Sequence, residues 1–256
     1  IKKAVGKDEG KNGGAGIGGG RGAGATVTIS GGTIGSQDST GIVHKNDGAF
    51  SSGGAAIGGG AGASDDTTVT ISKVLIHNAE GRDGGAGIGG GKQSKGKTKI
   101  DISGDALVSA GSSGGAGIGG GSNSSQATTI NISGEAFIQK ATGGTGGAGI
   151  GGGKNSSGET KVNITGGKVN ASTGYGNGGA GIGSGKESSG ATNIEITGDA
   201  LVSADSSGGA AIGSGESSTG ETTINIHDTN TGKGVKSAFT LSLIHISEPT
   251  RRTPIS

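Results

Sequence analysis

Two aliphatic side chains separated by one polar residue return about every thirty positions along this chain. The copies are Val69-Thr70-Ile71, Ile100-Asp101-Ile102, Ile130-Asn131-Ile132, Val162-Asn163-Ile164, Ile194-Glu195-Ile196 and Ile224-Asn225-Ile226. A threonine stands two residues before each pair (Thr67, Thr98, Thr128, Thr160, Thr192, Thr222). Alternation of this kind sets the threonine and both aliphatics on one face of a short strand. Upstream of each strand lies the octapeptide Gly-Gly-Ala-Gly-Ile-Gly-Gly-Gly or a near copy, seven times in all, with central residues Ile17, Ile57, Ile88, Ile118, Ile150, Ile182 and Ile212. After a first gap of 40 residues these isoleucines are 31, 30, 32, 32 and 30 apart. A period in this range marks a repeat architecture in which each unit buries its apolar face against its neighbours.

One unit, Gly84 to Ala110, predicts three strands. Ala86-Gly87-Ile88 is followed by the polar turn Lys92–Gly96, then by Thr98–Ile102, a bend at Ser103-Gly104-Asp105, and Ala106–Ser109. The third strand aligns Ile34, Ile76, Leu107, Phe137, Val169 and Leu201 as a further inward column. An inward set that repeats beside an outward set that varies (Thr28, Thr70, Asp101, Asn131, Asn163, Glu195, Asn225) is the requirement of a parallel β-helix. The expected fold is therefore all-β: a right-handed parallel β-helix, or β-solenoid, spanning 13–228. It has about seven coils of roughly 30 residues with three short strands each. Handedness follows the preference of parallel crossovers, and seven coils at about 4.8 Å make a rod roughly 30 Å long.

Composition then adds a constraint. The chain holds 65 glycines and only four aromatics, Phe50, Phe137, Tyr175 and Phe239, so a conventional globular core is excluded. Ordering a glycine costs roughly 0.5–1 kcal/mol more than ordering an alanine, and regular aliphatic stacking must offset that load. Within the octapeptide, the residue between Ala and Ile is always Gly or Ala and is expected to face outward. Its glycines then either supply bends and left-handed conformations or leave a bare strip for another surface; the first reading is the stronger. No apolar run approaches the roughly 20 residues of a membrane helix. The absence of cysteine rules out disulfides and thiolate-bound metal.

The ends read differently from the middle. Residues 1–12 are taken as a truncated N-terminal part of the solenoid and 229–240 as its end or a partial further coil. Leu241–Arg251 lacks glycine and, with the residues after it, resembles the in-frame translation of a transposon-based sequencing-library adapter, so 241–256 is expected not to be native. Without Arg251, Arg252 and Glu248, the 21 basic and 20 acidic residues become 19 and 19, and the net charge falls from +1 to zero. No electrostatic case for nucleic acid or an anionic membrane remains. With no methionine and no signal-peptide pattern at Ile1–Val5, the chain reads as a fragment flanked by further domains.

Candidate chemistry is sparse. Gly14–Gly19 satisfies G-x-G-x-x-G, but so does almost every repeat, and no helix follows. The lysines after Gly91 and Gly153 lack the Ser/Thr of a phosphate loop. Asp105 and Glu135 occupy equivalent bends of neighbouring coils and could hold a hard cation between them, although solvated turn residues are the simpler account. His44, His77 and His227 are scattered. An ice-binding Thr-x-Thr array starts at Thr26/Thr28 and Thr68/Thr70 and is broken by Lys99/Asp101 and Lys161/Asn163. The insertion between Gly35 and Gly48 is the one irregular unit, and such insertions become loops on one face. No catalytic residue, cofactor site or firm metal site is assigned.

The repeated Gly-Gly-Ala-Gly-Ile-Gly-Gly-Gly followed by Ile-x-Ile-Ser/Thr-Gly resembles the glycine-rich β-helical repeats of large surface or secreted proteins of anaerobic, gut-type bacteria. That resemblance covers Gly13 to about Asp228. It implies an extracellular or cell-surface location and an adhesin-like, non-enzymatic, carbohydrate-binding role, with extracellular glycans as partners. Tyr175, alone in the turn Gly174–Asn177, is the candidate ligand contact. The alternative is a carbohydrate-active enzyme of the β-helix type, similar to polysaccharide lyases, although no clustered Asp/Arg/Lys set assignable to that chemistry is present.

Overall fold

A computed structural model of the chain describes residues 1–6, 13–36, 47–174 and 178–227. These residues form a parallel β-solenoid with three sheets and no helix among them. The first sheet stacks the octapeptide strands Ile17–Gly18, Ile57–Gly58, Ile88–Gly89, Ile118–Gly119, Ile150–Gly151, Ile182–Gly183 and Ile212–Gly213. The second stacks Thr26–Ile29, Thr67–Ser72, Thr98–Ser103, Thr128–Ile132, Thr160–Ile164, Thr192–Ile196 and Thr222–Ile226. The third runs Lys3–Val5, Gly48–Phe50, Leu75–Gly81, Leu107–Ser112, Phe137–Gly143, Lys168–Thr173 and Leu201–Asp205, with Thr33–Ile34 also paired to Leu75–Gly81. Six turns carry all three strands. A seventh has the first two, its third position falling after His227 and outside the described residues, so the expected seven coils become about six.

Pairing in the second sheet matches the sequence alignment residue for residue, with Thr98 opposite Thr128, Ile100 opposite Ile130 and Ile102 opposite Ile132. Thr128 is in turn opposite Thr160 and Ile130 opposite Val162. The aliphatics of this sheet are fully enclosed in the middle turns, and Thr67, Thr98, Thr128, Thr160 and Thr192 are buried beside them. Burying each such Ile or Val is worth about 1.5–3 kcal/mol.

The third sheet corrects the sequence alignment by one residue. Val108 lies opposite Ile76 and Ile138, and Val169 lies opposite Ile138 and Val202. The inward column is therefore Ile34, Ile76, Val108, Ile138, Val169 and Val202, all buried. Leu107, Phe137 and Leu201, expected inside, point outward. Alternation forces this, since Ala106 and Val108, or Ala136 and Ile138, occupy the core on either side. Phe137 is half-buried on the outer surface, and Lys168 Nζ sits 5.0 Å from its ring centroid. A bulge recurs on this sheet, where the pair His77-Asn78 and the pair Gln139-Lys140 each span the place of the single Ser109. In the first turn the Gly35–Gly48 insertion leaves from the same point, because Ile34 pairs with Ile76 and Ala49 with Ala79. Most of its residues, 37–46, lie outside the described set.

The octapeptide is a buried loop and not an outward strip. In each turn the alanine N–H donates to the carbonyl four residues later, as Ala86 to Gly90 at 3.0 Å and Ala148 to Gly152 at 3.0 Å. The loop so closed carries its isoleucine at the tip, and Ile57, Ile88, Ile118, Ile150 and Ile182 are completely enclosed. The residue between Ala and Ile, expected to face outward, is buried in turns two to six. A Cβ at Gly117 would press on the Thr142 backbone N at 2.6 Å and the Gly149 carbonyl oxygen at 2.8 Å. The glycine after each isoleucine has a φ between +129° and +141°, from Gly18 to Gly213. That conformation is closed to L side chains, so the bend reading of the octapeptide holds.

Candidate functional site

Buried glycine loops remove one candidate site directly. Gly87 and Ile88 donate their N–H groups to Ala116 and Gly117 of the next turn at 3.1 and 3.0 Å, and Gly90 donates to Gly119 at 2.9 Å. With its amides spent on the stack, the G-x-G-x-x-G segment has no nest of free N–H groups to cradle a phosphate.

Polar display falls instead to the outer face of the second sheet. Its outward positions form two columns, one through Thr68, Lys99, Thr129, Lys161, Asn193 and Thr223, the other through Thr70, Asp101, Asn131, Asn163, Glu195 and Asn225. Strand alternation fixes the two columns, and in-register parallel pairing sets like positions about 4.8 Å apart. Side chains in the second column bond from rung to rung. Asn131 Nδ2 donates to Asp101 Oδ1 at 2.6 Å, and Asn163 Nδ2 donates to Asn131 Oδ1 at 2.7 Å. Lys99 Nζ sits 3.1 Å from Asp101 Oδ2, and Asn193 Nδ2 donates to Glu159 Oε1 at 2.7 Å. Next to the upper end of this ladder is a shallow notch of about 160 Å³ lined by Lys161, Asn163, Asn193, Ile194, Glu195 and Asn225. The sequence reading had placed these residues among the variable outward positions without seeing that they touch.

A second, wider depression of about 460 Å³ lies at the corner between the second and third sheets, lined by Gly32, Lys73, Val74, Leu75, Asp105 and Leu107. Asp105 is exposed on its rim, and Glu135 is likewise exposed one turn further on. The two stand at equivalent bends, but Gly166 and Gly167 follow in the next turn, and among the described residues no three His, Asp or Glu side chains converge to hold a metal ion. A hard cation needs six to eight oxygens, so this pair is a solvated turn feature with no built site around it. His77 and His227 lie on different sheets at distant turns, and His44 is outside the described residues. So are Tyr175 and the whole of 228–256, which include the adapter-like segment. No helix among the described residues is long and apolar enough to cross a membrane.

Neither a family pattern nor a curated protein nor a solved structure matches this chain. Geometry and chemistry are therefore the whole basis of the functional reading.

Proposed function

We propose that this chain is a non-catalytic structural and adhesive repeat module of a bacterial cell-surface or secreted protein, presenting its outer sheet faces to extracellular glycans. One observation carries the reading. The inward columns of the second sheet repeat the same residue types turn after turn, while its outward columns change at every rung among Thr, Lys, Asp, Asn and Glu. Uniform interiors build a rod; varied polar exteriors suit display. The outward Phe137 lends further support, since it adds an apolar ring to a surface otherwise poor in aromatics. Such a rod would also hold flanking domains of a longer chain apart.

A glycan array probed with the purified chain tests the proposal. Binding to at least one saccharide class is expected, together with no turnover. Tyr175→Ala and Phe137→Ala, run beside the parent chain, show whether either aromatic contributes. Cleavage of an acidic polysaccharide by the chain would replace the adhesive reading with the lyase-like one. A blank array would reduce the module to a spacer.

A further inference from the structure

Hydrogen bonding down the second outer column of the second sheet has a direction. An ionised carboxylate only accepts, while an amide offers one donor group and one acceptor. Asp101 accepts from Asn131, whose Oδ1 accepts from Asn163, whose Oδ1 then faces the rung of Glu195. Glu195 again only accepts. Two amides capped by a carboxylate at each end always leave one junction of acceptor against acceptor, whichever way the amides turn. The structure sets that junction between Asn163 and Glu195, where Asn163 Oδ1 is buried with no hydrogen-bond donor from the protein. At the other end, Lys99 already serves Asp101.

The junction opens into the notch, whose remaining groups define what can enter. Asn193 has its Nδ2 engaged by Glu159, which turns its Oδ1 into another acceptor. Lys161 and Glu195, both exposed, contribute opposite charges to the lining. Those charges cancel, so nothing there concentrates a bare ion, and a single carboxylate falls short of the oxygen shell of a hard cation. A neutral group that both donates and accepts meets every requirement. We infer that this notch binds the hydroxyl groups of a neutral saccharide. One hydroxyl donates into the Asn163–Glu195 junction and a neighbouring hydroxyl accepts from Lys161 Nζ. The inference rests on the glycan-binding proposal and gives it an address between the fifth, sixth and seventh turns.

The test is a titration of the isotopically labelled full chain, followed by NMR at the side-chain amides of Asn163, Asn193 and Asn225. The probes are free glucose, galactose, mannose and N-acetylglucosamine, with calcium chloride as a separate arm. Saturable shifts confined to these amides are expected with at least one sugar and not with calcium. Glu195→Gln supplies the missing donor and closes the ladder. It should weaken sugar binding by about tenfold or more and raise the thermal midpoint. Thr129→Ala, on the same face but away from the notch, should leave binding unchanged. Silence from all four sugars, a response to calcium instead, or undiminished binding by Glu195→Gln would each overturn the assignment. Array binding that survives Glu195→Gln, with these amides silent, would remove the notch and leave the adhesive module standing. A blank array would remove both.

Discussion

Replacing Gly119 by alanine is expected to destabilise the solenoid by about 3–5 kcal/mol, the sum of a strained backbone and an overpacked contact. Gly119 has a φ of +141°, and an added Cβ would overlap the carbonyl oxygen of Gly151 in the next turn. Neither neighbour can yield. Gly151 belongs to the adjacent buried octapeptide and receives the Gly120 N–H at 2.9 Å. Because each turn is stabilised mainly by its two neighbours, damage in the fourth turn should uncouple the halves of the stack. Gly111→Ala is the matched control, since its Cβ would find nothing nearer than 4.0 Å and its φ is not left-handed. It should be neutral or stabilising by up to about 1 kcal/mol. Urea denaturation followed by far-ultraviolet circular dichroism suits a chain without tryptophan. Equal midpoints for the two variants would contradict the buried-loop account of the octapeptide.

A second large contrast is expected at two adjacent residues. Ile138 is fully enclosed, and Ile138→Ala should cost about 2–5 kcal/mol. Phe137 lies outside under Lys168, and Phe137→Ala should cost no more than about 1 kcal/mol, from the loss of the cation–ring contact and partial burial. The larger residue thus gives the smaller effect. The reverse order in the same denaturation assay would restore the register in which Phe137 fills the core.

These two residues also show what a sequence can and cannot disclose here. The second strand was readable because a single polar residue separates its aliphatics, as in Ile130-Asn131-Ile132, so period two admits only one inward face. In the third strand two apolar residues are adjacent, as in Phe137-Ile138 and Leu107-Val108, and the period alone does not choose between them. The β-branched residue at the second place of each pair was the available signal. Bulges at His77-Asn78 and Gln139-Lys140 then shift the numbering and hide the column. In the octapeptide, alternation failed for another reason. The Ala86 to Gly90 hydrogen bond folds the segment back on itself, so both of its faces end up inside. The notch was illegible because Lys161, Asn163, Asn193, Glu195 and Asn225 come from three turns. Their contacts exist only across the stack, and reading them required the register and the direction of the amides.

The stacking register itself can be tested covalently, because the chain contains no cysteine. Thr129 and Lys161 are direct partners on adjacent turns, and Lys161 and Asn193 are partners one turn further on. Cα atoms on adjacent turns lie about 4.8 Å apart, within reach of a disulfide, whereas two turns span about 9.6 Å and exceed it. A Thr129→Cys/Lys161→Cys variant should therefore form an intramolecular disulfide rapidly on mild oxidation, while Thr129→Cys/Asn193→Cys should not. Equal yields from the two pairs, or closure of only the second, would contradict the parallel solenoid on which every other conclusion stands.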